Sequence, residues 1–472
     1  MSAADPDADP DASPAPAPPP RPDRLFAPEH RALVVGLTLT ITLVAFESLA
    51  IATVMPEVKD DLGGLGLYGW VFSGFFLGSL AGIVAAGQLA DRVGLRTPYL
   101  VGLAIFAAGL LIGAEARGME MLVVGRVLQG FGAGAIPSMG YTAIGRGMPA
   151  ALRPRMFAAL STAWVLPGLV GPAIATGIAH ATSWRWVFGV LVPVAVVAGI
   201  MTAPALAQVD RRNPVTEPPP LDRRRIGLVA ALVVGVGAAF GATDAPPAVA
   251  VALAAVGVPL AVWAFRLLEP PGTLRLAAGV PATVAVRGLL TMAFFSGDAY
   301  VPLALKDGRG TASWVAGLAL TAGAVCWCGG SWVQARLLER VGPRRLVGLG
   351  TLSLVAGAAL LLVTMGGLPV PIAIVAWGIA AFGVGLSYSP LSVTVLGAAE
   401  AGQEGSASAA LQLADSLGIA LGSGVGGAVI ALGDGRDWSV AASTTWVFAF
   451  SVLMGTAVHL ASRRLPRAVP GT

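Results

Sequence analysis

Charge is scarce in this chain. Only 12% of its 472 residues are Asp, Glu, Lys or Arg, where an ordinary soluble chain carries about 25%. Lysine is almost missing: Lys59 and Lys306 are the only two, and every other basic residue is arginine. Cysteine is limited to Cys326 and Cys328. Standing two apart in an apolar run, they point to different sides of a helix, which argues against a structural disulfide and for small apolar fillers. The three histidines, His30, His180 and His459, are far apart and near segment ends, so no histidine-based metal site is expected. What is abundant is apolar: 56% of the residues are hydrophobic, and mean hydropathy is +0.77. No soluble core of this size could hide that much apolar surface. A soluble multi-domain enzyme, a disulfide-stapled secreted scaffold and a nucleic-acid-binding domain are all excluded as readings. The pI near 9.4 reflects arginines distributed loop by loop, not affinity for nucleic acid. The composition is that of an all-α polytopic membrane protein.

Residues 1–28 are Pro, Ala and Asp repeats without an apolar stretch, expected to form a disordered tail and not a signal peptide. Apolar runs then recur, each near the ~20 residues that cross a bilayer. Fourteen are expected, over 32–56, 68–90, 98–116, 120–145, 155–180, 185–207, 226–243, 247–267, 281–305, 312–335, 346–366, 369–398, 405–432 and 438–462. An even count puts both termini on one side. On that side fall 22 of the 30 basic residues, and the other side has six: Lys59, Arg117, Arg185, Lys306, Arg309 and Arg436. Arg126 and Arg287 fall within spans. By the positive-inside rule both termini are cytoplasmic, in the inner (cell) membrane.

The chain also repeats itself. Asp91, Arg92 and Gly94 are echoed by Glu339, Arg340 and Gly342; Phe131-Gly132-x-Gly134 returns as Phe382-Gly383-x-Gly385, and Ala158-Ala159-Leu160 as Ala409-Ala410-Leu411. Three echoes in order, at nearly one offset, imply duplication. The expected division is a six-helix bundle over 29–207, a cytoplasmic linker over 208–225, two inserted helices within 226–280 and a second six-helix bundle over 281–465. Transporters are commonly built from such repeats, with the substrate site between the halves.

Polar groups inside the spans are expensive in lipid and therefore functional candidates. Glu47 stands about sixteen residues into the first span, Asp298 in the ninth and Asp415 in the thirteenth, with Gln412 on the same helical face three residues earlier. Repeat arithmetic sets Asp298 one helical turn from the position matching Glu47. A carboxyl group isolated from water exchanges its proton nearer neutrality than one in solution. Arg126 heads Arg126-Val127-Leu128-Gln129-Gly130 in span four, and its repeat counterpart is Trp377. The plain alternative for each acid is a charge neutralised by a structural arginine such as Arg287. The four-residue glycine spacings in span two (Gly74, Gly78, Gly82) and span thirteen (Gly418, Gly422, Gly426) are read as close packing.

Several of these segments resemble the major facilitator superfamily. Gly87-Gln88-Leu89-Ala90-Asp91-Arg92-Val93-Gly94-Leu95-Arg96 resembles its G-x-L-a-D-r-x-G-r-(R/K) loop, between spans two and three as the family requires. Gly94 permits the turn, and Asp91 can hold an arginine or a helix N-terminus. Arg126 to Gly130 resembles R-x-x-Q-G. Pro167-Gly168-Leu169-Val170-Gly171-Pro172 resembles the antiporter motif G-x-x-x-G-P-x-x-G-G, with Pro167 replacing the first glycine and Ala175-Thr176 the last pair. Ser183-Trp184-Arg185-Trp186-Val187-Phe188 looks like the W-R-W-x-F entry to span six. Glu47 with Pro56 resembles D-x-T-I-V-N-x-A-x-P, glutamate standing for aspartate and Ala52 for asparagine.

The resemblance is to the drug:proton antiporters with fourteen transmembrane segments. It implies two rocking six-helix bundles plus two inserted helices, and proton-driven export without ATP or any other cofactor; no G-x-x-x-x-G-K-[ST] loop occurs. The expected cargo is amphipathic small molecules, cationic ones included, and the expected working unit is a monomer in lipid. Glu47, Asp298, Asp415 and Arg126 are the proton-coupling candidates. Gln129, Trp164, Phe294, Phe295, Tyr300, Tyr388 and Gln412 are the cavity candidates, the aromatic rings acting by stacking or cation–π contact. An exporter dedicated to one host metabolite is the rival within transport. A polytopic membrane enzyme is the rival outside it, and it would need a polar catalytic cluster that the sequence does not group.

Overall fold

The computed structural model describes residues 25–149, 152, 156, 159–160, 163–215, 218, 220–243, 245–398 and 404–467. Most of the N-terminal tail, Arg153, Arg155 and Ala158 lie outside these. Fourteen main helices follow one another: α1 (Pro28–Leu62), α2 (Tyr68–Val93), α3 (Arg96–Ala114), α4 (Met119–Gly147), α5 (Val165–Ala181), α6 (Leu191–Arg212), α7 (Arg223–Gly241), α8 (Pro247–Leu268), α9 (Val280–Asp298), α10 (Ser313–Val341), α11 (Pro343–Met365), α12 (Val370–Gly397), α13 (Glu404–Asp434) and α14 (Val440–Ser462). Helices suit this chain because in hydrocarbon every backbone N–H and C=O must find its partner within the segment. All of them except α5, whose apolar stretch Leu166–Ala181 is short, are long and apolar enough to cross a bilayer. Several begin on proline, among them α1, α8 and α11, where the missing N–H would be unpaired in any case. Helices outrun their apolar runs: α1 continues past Met55 through Lys59, Asp60 and Asp61 to Leu62.

The alternation of helices puts the loops after α2, α4, α6, α8, α10 and α12 at the near end, with Pro28 and Ser462, and the others at the far end. At the near end the α2–α3 and α10–α11 turns both pivot on a glycine with positive φ, Gly94 at 84° and Gly342 at 80°. The sequence echo between those loops is therefore also an echo of backbone shape.

Small residues set the packing, as expected where lipid gives helices no hydrophobic reason to associate. A Cβ at Gly78 or Gly82 of α2 would strike the backbone of α4 at Val127 or Phe131, and one at Gly130 or Gly134 of α4 would strike Phe75 or Ser79 of α2. In the second half Gly330 of α10 meets Phe382 of α12, and Gly385 of α12 meets Trp327 of α10, in the same manner. Gly418 and Gly422 of α13 lie against Gly288 and Met292 of α9. Two seams join the halves. Along one, Gly69 of α2 meets Gly427 of α13; along the other, Gly168 of α5 would bring a Cβ to 2.9 Å from Ala324 of α10.

The inserted helices α7 and α8 cross each other at Gly235 and Gly257. Leu232, Val236 and Phe240 of α7 share one apolar cluster with Leu77 and Leu80 of α2 and Leu417 and Ala420 of α13. The insertion thus covers the α2–α13 seam. The outer face of α8 stays open, with Val251 70% and Val256 66% exposed, an apolar face suited to lipid.

Candidate functional site

Glu47 lies halfway along α1 and Arg126 about a quarter of the way along α4, and the crossing of these helices joins them. Both are removed from solvent, 0% and 2% exposed. The Arg126 guanidinium donates to Glu47 Oε1 through Nη1, to Gln129 Oε1 through the same nitrogen, and to the Val71 carbonyl through Nε at 3.0 Å. Phe75 underlies the guanidinium, with Cζ 4.3 Å from the ring centroid. Two polar atoms of the cluster, Glu47 Oε2 and Gln129 Nε2, are buried with no hydrogen bond among the described residues. Such orphans are uncommon in a settled interior. The acid therefore has one oxygen neutralised and the other able to take a proton without breaking a bond.

A second cluster sits in the other half. Arg287 of α9 donates from Nε to Asp415 Oδ1 of α13 at 2.7 Å, and from Nη1 to the Tyr388 carbonyl at 2.7 Å and to Ser392 Oγ at 3.2 Å. Tyr388 of α12 donates its hydroxyl to Asp415 Oδ2 at 2.8 Å, and the guanidinium lies 3.0 Å above its ring centroid. Asp415 thus has both oxygens bonded, and its side chain is 18% exposed. Arg287 is the neutralising arginine, and Asp415 is the acid it neutralises. The two halves place their pairs differently: by the repeat, α9 and α13 correspond to α1 and α5, whereas Glu47 and Arg126 use α1 and α4.

Asp298 joins neither arginine. It ends α9 and faces Trp377 of α12, the residue that holds the repeat position of Arg126. The Trp377 Nε1 makes no hydrogen bond among the described residues. Acid against arginine in one half thus becomes acid against indole in the other.

The aromatic candidates divide. Phe294 stacks on Trp377 at 4.7 Å, and Trp327 meets Phe294 at 5.5 Å, Phe295 at 6.3 Å and Tyr388 at 5.4 Å. Phe76 of α2 reaches Phe295 at 6.5 Å across the halves. These rings form one continuous wall beside the Arg287–Asp415 pair. Tyr300 stands apart: it is fully buried at the far end, donates its hydroxyl to the Ser423 carbonyl and packs on Tyr68. Trp164 is 48% exposed at the start of α5. Gln412 is half-buried on α13, one turn from Asp415.

At the near end, Asp91 accepts from Arg146 Nη2 of α4 at 3.0 Å. The start of α3 is held by a different acid: Asp210 of α6 accepts from the Leu95 N–H at 2.8 Å and the Arg96 N–H at 3.0 Å. Its carboxyl lies 2.7 Å from where a Cβ on Gly94 would be, so this turn requires glycine for both conformation and space. Gly87 has open space around it, and Arg92 follows Asp91 in the last turn of α2. Gln88 of the same loop exchanges two bonds with the backbone of Asp222, 3.0 and 3.2 Å, ahead of α7. In α5, Pro167 opens a motif whose Gly168 faces α10; a Cβ on Gly171 would lie 3.7 Å from Phe46 of α1, and Pro172 approaches Gly317 of α10.

Several residues of these sites carry no signal in the sequence. Asp210, Arg146 and Trp327 are ordinary helix residues until the fold brings their partners. Glu269, between α8 and α9, is another: it is 5% exposed and neither carboxyl oxygen has a hydrogen bond among the described residues. Burial pushes its carboxyl up to about 8, with Arg225 pulling weakly the other way.

Comparison with known proteins gives one consistent result. The family described as Major Facilitator Superfamily matches residues 37–423. A probable multidrug-efflux transporter of Mycobacterium tuberculosis (strain ATCC 25618 / H37Rv) is 29% identical over 454 residues, 90% of this chain and 94% of that protein. The multidrug transporter protein MdtP of Bacillus subtilis (strain 168) is 31% identical over 183 residues, 39% of this chain and 34% of that protein. Among solved structures, the human organic anion transporter MFSD10 (TETRAN) superposes with a TM-score of 0.60 at 17% identity, covering 92% of this chain and all of that one. An auto-inhibited peptide transporter of the POT family superposes with a TM-score of 0.63 at 17% identity, over 93% and 98% of the two chains. At such identity these structures speak to the fold. Taken with the apolar helices, the match over most of the chain makes this a multi-pass membrane transporter and not an enzyme: the protein belongs to the Major Facilitator Superfamily.

Proposed function

We propose that the protein is a proton-coupled exporter of amphipathic small molecules, cationic ones included, working by alternating access as a single chain in the cell membrane. The moving bodies in this reading are residues 29–207 and 281–465, with 226–280 as an inserted pair and 208–225 as a cytoplasmic linker. Both termini, and with them the near end, face the cytoplasm, in keeping with the arginine-rich loops there.

The observation that carries the reading is the buried Glu47–Arg126–Gln129 cluster with its unbonded carboxyl oxygen. A proton arriving at Glu47 Oε2 neutralises the acid, so that Oε1 still accepts from Arg126 but no longer offsets its charge. The freed positive charge disfavours a cationic substrate nearby and weakens the hold of α1 on α4. Loss of the proton restores the pair. Asp298 lies next to the ring wall of Phe294, Phe295, Trp327 and Tyr388, where apolar cations gain from stacking and cation–π contact. The names of the multidrug relatives point the same way.

The test is efflux from proteoliposomes against an imposed pH gradient, with a panel of cationic dyes. Several chemically unrelated dyes should move only when protons flow the opposite way. Export of a single host metabolite, with no dye moving, would favour the dedicated exporter. Dye export that ignores the gradient would remove proton coupling.

A further inference from the structure

The two lysines of this chain occupy related places. Lys59-Asp60 closes the last turn of α1, and Lys306-Asp307 lies in a π-helical turn, Ala304–Gly308, that follows α9. The two dipeptides face each other at the far end and exchange partners. Lys59 Nζ donates to Asp307 Oδ2 at 2.5 Å, and Lys306 Nζ donates to Asp60 Oδ2 at 2.7 Å. Lys59 also lies 2.8 Å from Asp60 Oδ1, so the four groups form one network. The crossing contacts join residues 248 and 246 apart, close to the 248 that separates Asp91 from Glu339 in the internal repeat. Each half thus offers the same Lys-Asp pair to the other, as two copies do across a two-fold axis.

Neighbouring groups show that this arrangement is specific to the junction. Asp61, the next acid of α1, stays within its own half, accepting from Arg185 Nη1 at 2.6 Å and Trp184 Nε1 at 3.0 Å. Below the network the seam is tight: Tyr300 is fully buried against Tyr68, and Gly69 lies directly on Gly427. The four charged side chains are 17–50% exposed, so water and salt reach them. A π-helical turn is rare and tends to mark functional positions; here it presents consecutive residues, Lys306 and Asp307, to the end of α1.

We propose that the reciprocal Lys59–Asp307 and Asp60–Lys306 pairs are a latch that holds the far end shut, and that their strength sets how often that end opens. The proposal rests on the alternating-access reading above. Two partly exposed pairs are an apt strength for a latch: each is weak and screened by salt, and opening must break both at once while parting the Tyr300 seam.

The experiment measures the distance between spin labels at Thr182 and Ala312, exposed far-end positions of opposite halves, with Cys326 and Cys328 replaced by alanine. Lys59→Asp should raise the open fraction at least about five-fold, since it turns the attraction to Asp307 across the halves into a repulsion. Adding Asp307→Lys to Lys59→Asp restores the crossing charges and should return the open fraction to within about two-fold of the parent. Asp61→Asn, which touches only its own half, should leave the distance distribution unchanged. If the parent switches with the pH gradient but Lys59→Asp does not shift the distribution, or the exchange fails to restore it, the latch is overturned while alternating access stands. A single distance in the parent under every gradient and substrate would overturn both.

Discussion

The two buried acid–arginine pairs look alike on paper and differ in construction. Asp415 is fully bonded, by Arg287 on one oxygen and Tyr388 on the other, and its side chain is 18% exposed. Glu47 is sealed at 0% exposure and half-bonded. A fully satisfied, partly wetted pair is a fixture: protonating Asp415 would break an existing bond to Arg287 or Tyr388. A sealed pair with a spare oxygen is a switch, because its two protonation states fit the same surroundings with different charge. In the proposed function that contrast, and not burial alone, assigns coupling to the Glu47 pair and a structural role to the Asp415 pair.

The largest expected effect comes from removing the arginines. Arg126→Met leaves Glu47 buried beside only Gln129 and should lower the stability of the detergent-solubilised protein by about 3–5 kcal/mol. Arg287→Met leaves Asp415 with Tyr388 and some water, and should cost less, about 1–3 kcal/mol. Adding Glu47→Met to Arg126→Met should recover most of the loss, since an apolar pair of similar volume is tolerated where a broken ion pair is not. Thermal unfolding in detergent reads all three. Equal losses for the two single variants would erase the distinction between fixture and switch.

Glu269 sharpens the comparison as a buried acid whose two oxygens make no hydrogen bond among the described residues. Its carboxyl sits at about 8 when folded, against ~4.3 in an unfolded chain. The folded state therefore holds the proton more tightly. The stability this contributes is fully present below pH ~4.3, and it is lost as pH rises through about 8. Thermal stability should fall between about pH 5 and pH 8, and Glu269→Gln should flatten that decline by the share belonging to this group. A variant with the parent's slope would mean that Glu269 is already ionised in the folded protein.

Much of the fold is legible in the sequence because a bilayer imposes one length and one kind of surface. Hydropathy alone places fourteen segments, and all fourteen have helices. Their ends are less legible, since apolarity stops at a charge while backbone hydrogen bonding does not: Lys59 and Asp60 end the apolar run of α1 but still lie inside the helix. Glu47 and Arg126 each announce themselves as charges that lipid would not tolerate. That they belong to each other is invisible, because 79 residues separate them and only the packing of α1 on α4 brings them together. Arg287 is legible as a neutraliser, but the choice of Asp415 over Asp298 depends on the α9–α13 contact through Gly288 and Gly418. Asp210 is the least legible, an end-of-helix acid whose use depends on where α6 meets the α2–α3 turn.

The claim that Glu47 is the coupling carboxyl is tested most directly by one comparison in proteoliposomes: efflux driven by an imposed pH gradient, for the parent and for Glu47→Gln. Glutamine keeps the size and an oxygen for Arg126 but cannot exchange a proton, so gradient-driven efflux should fall to background while substrate binding persists and loses its dependence on pH. Full, proton-coupled efflux by Glu47→Gln would contradict the account and move the coupling role to Asp298 or Asp415.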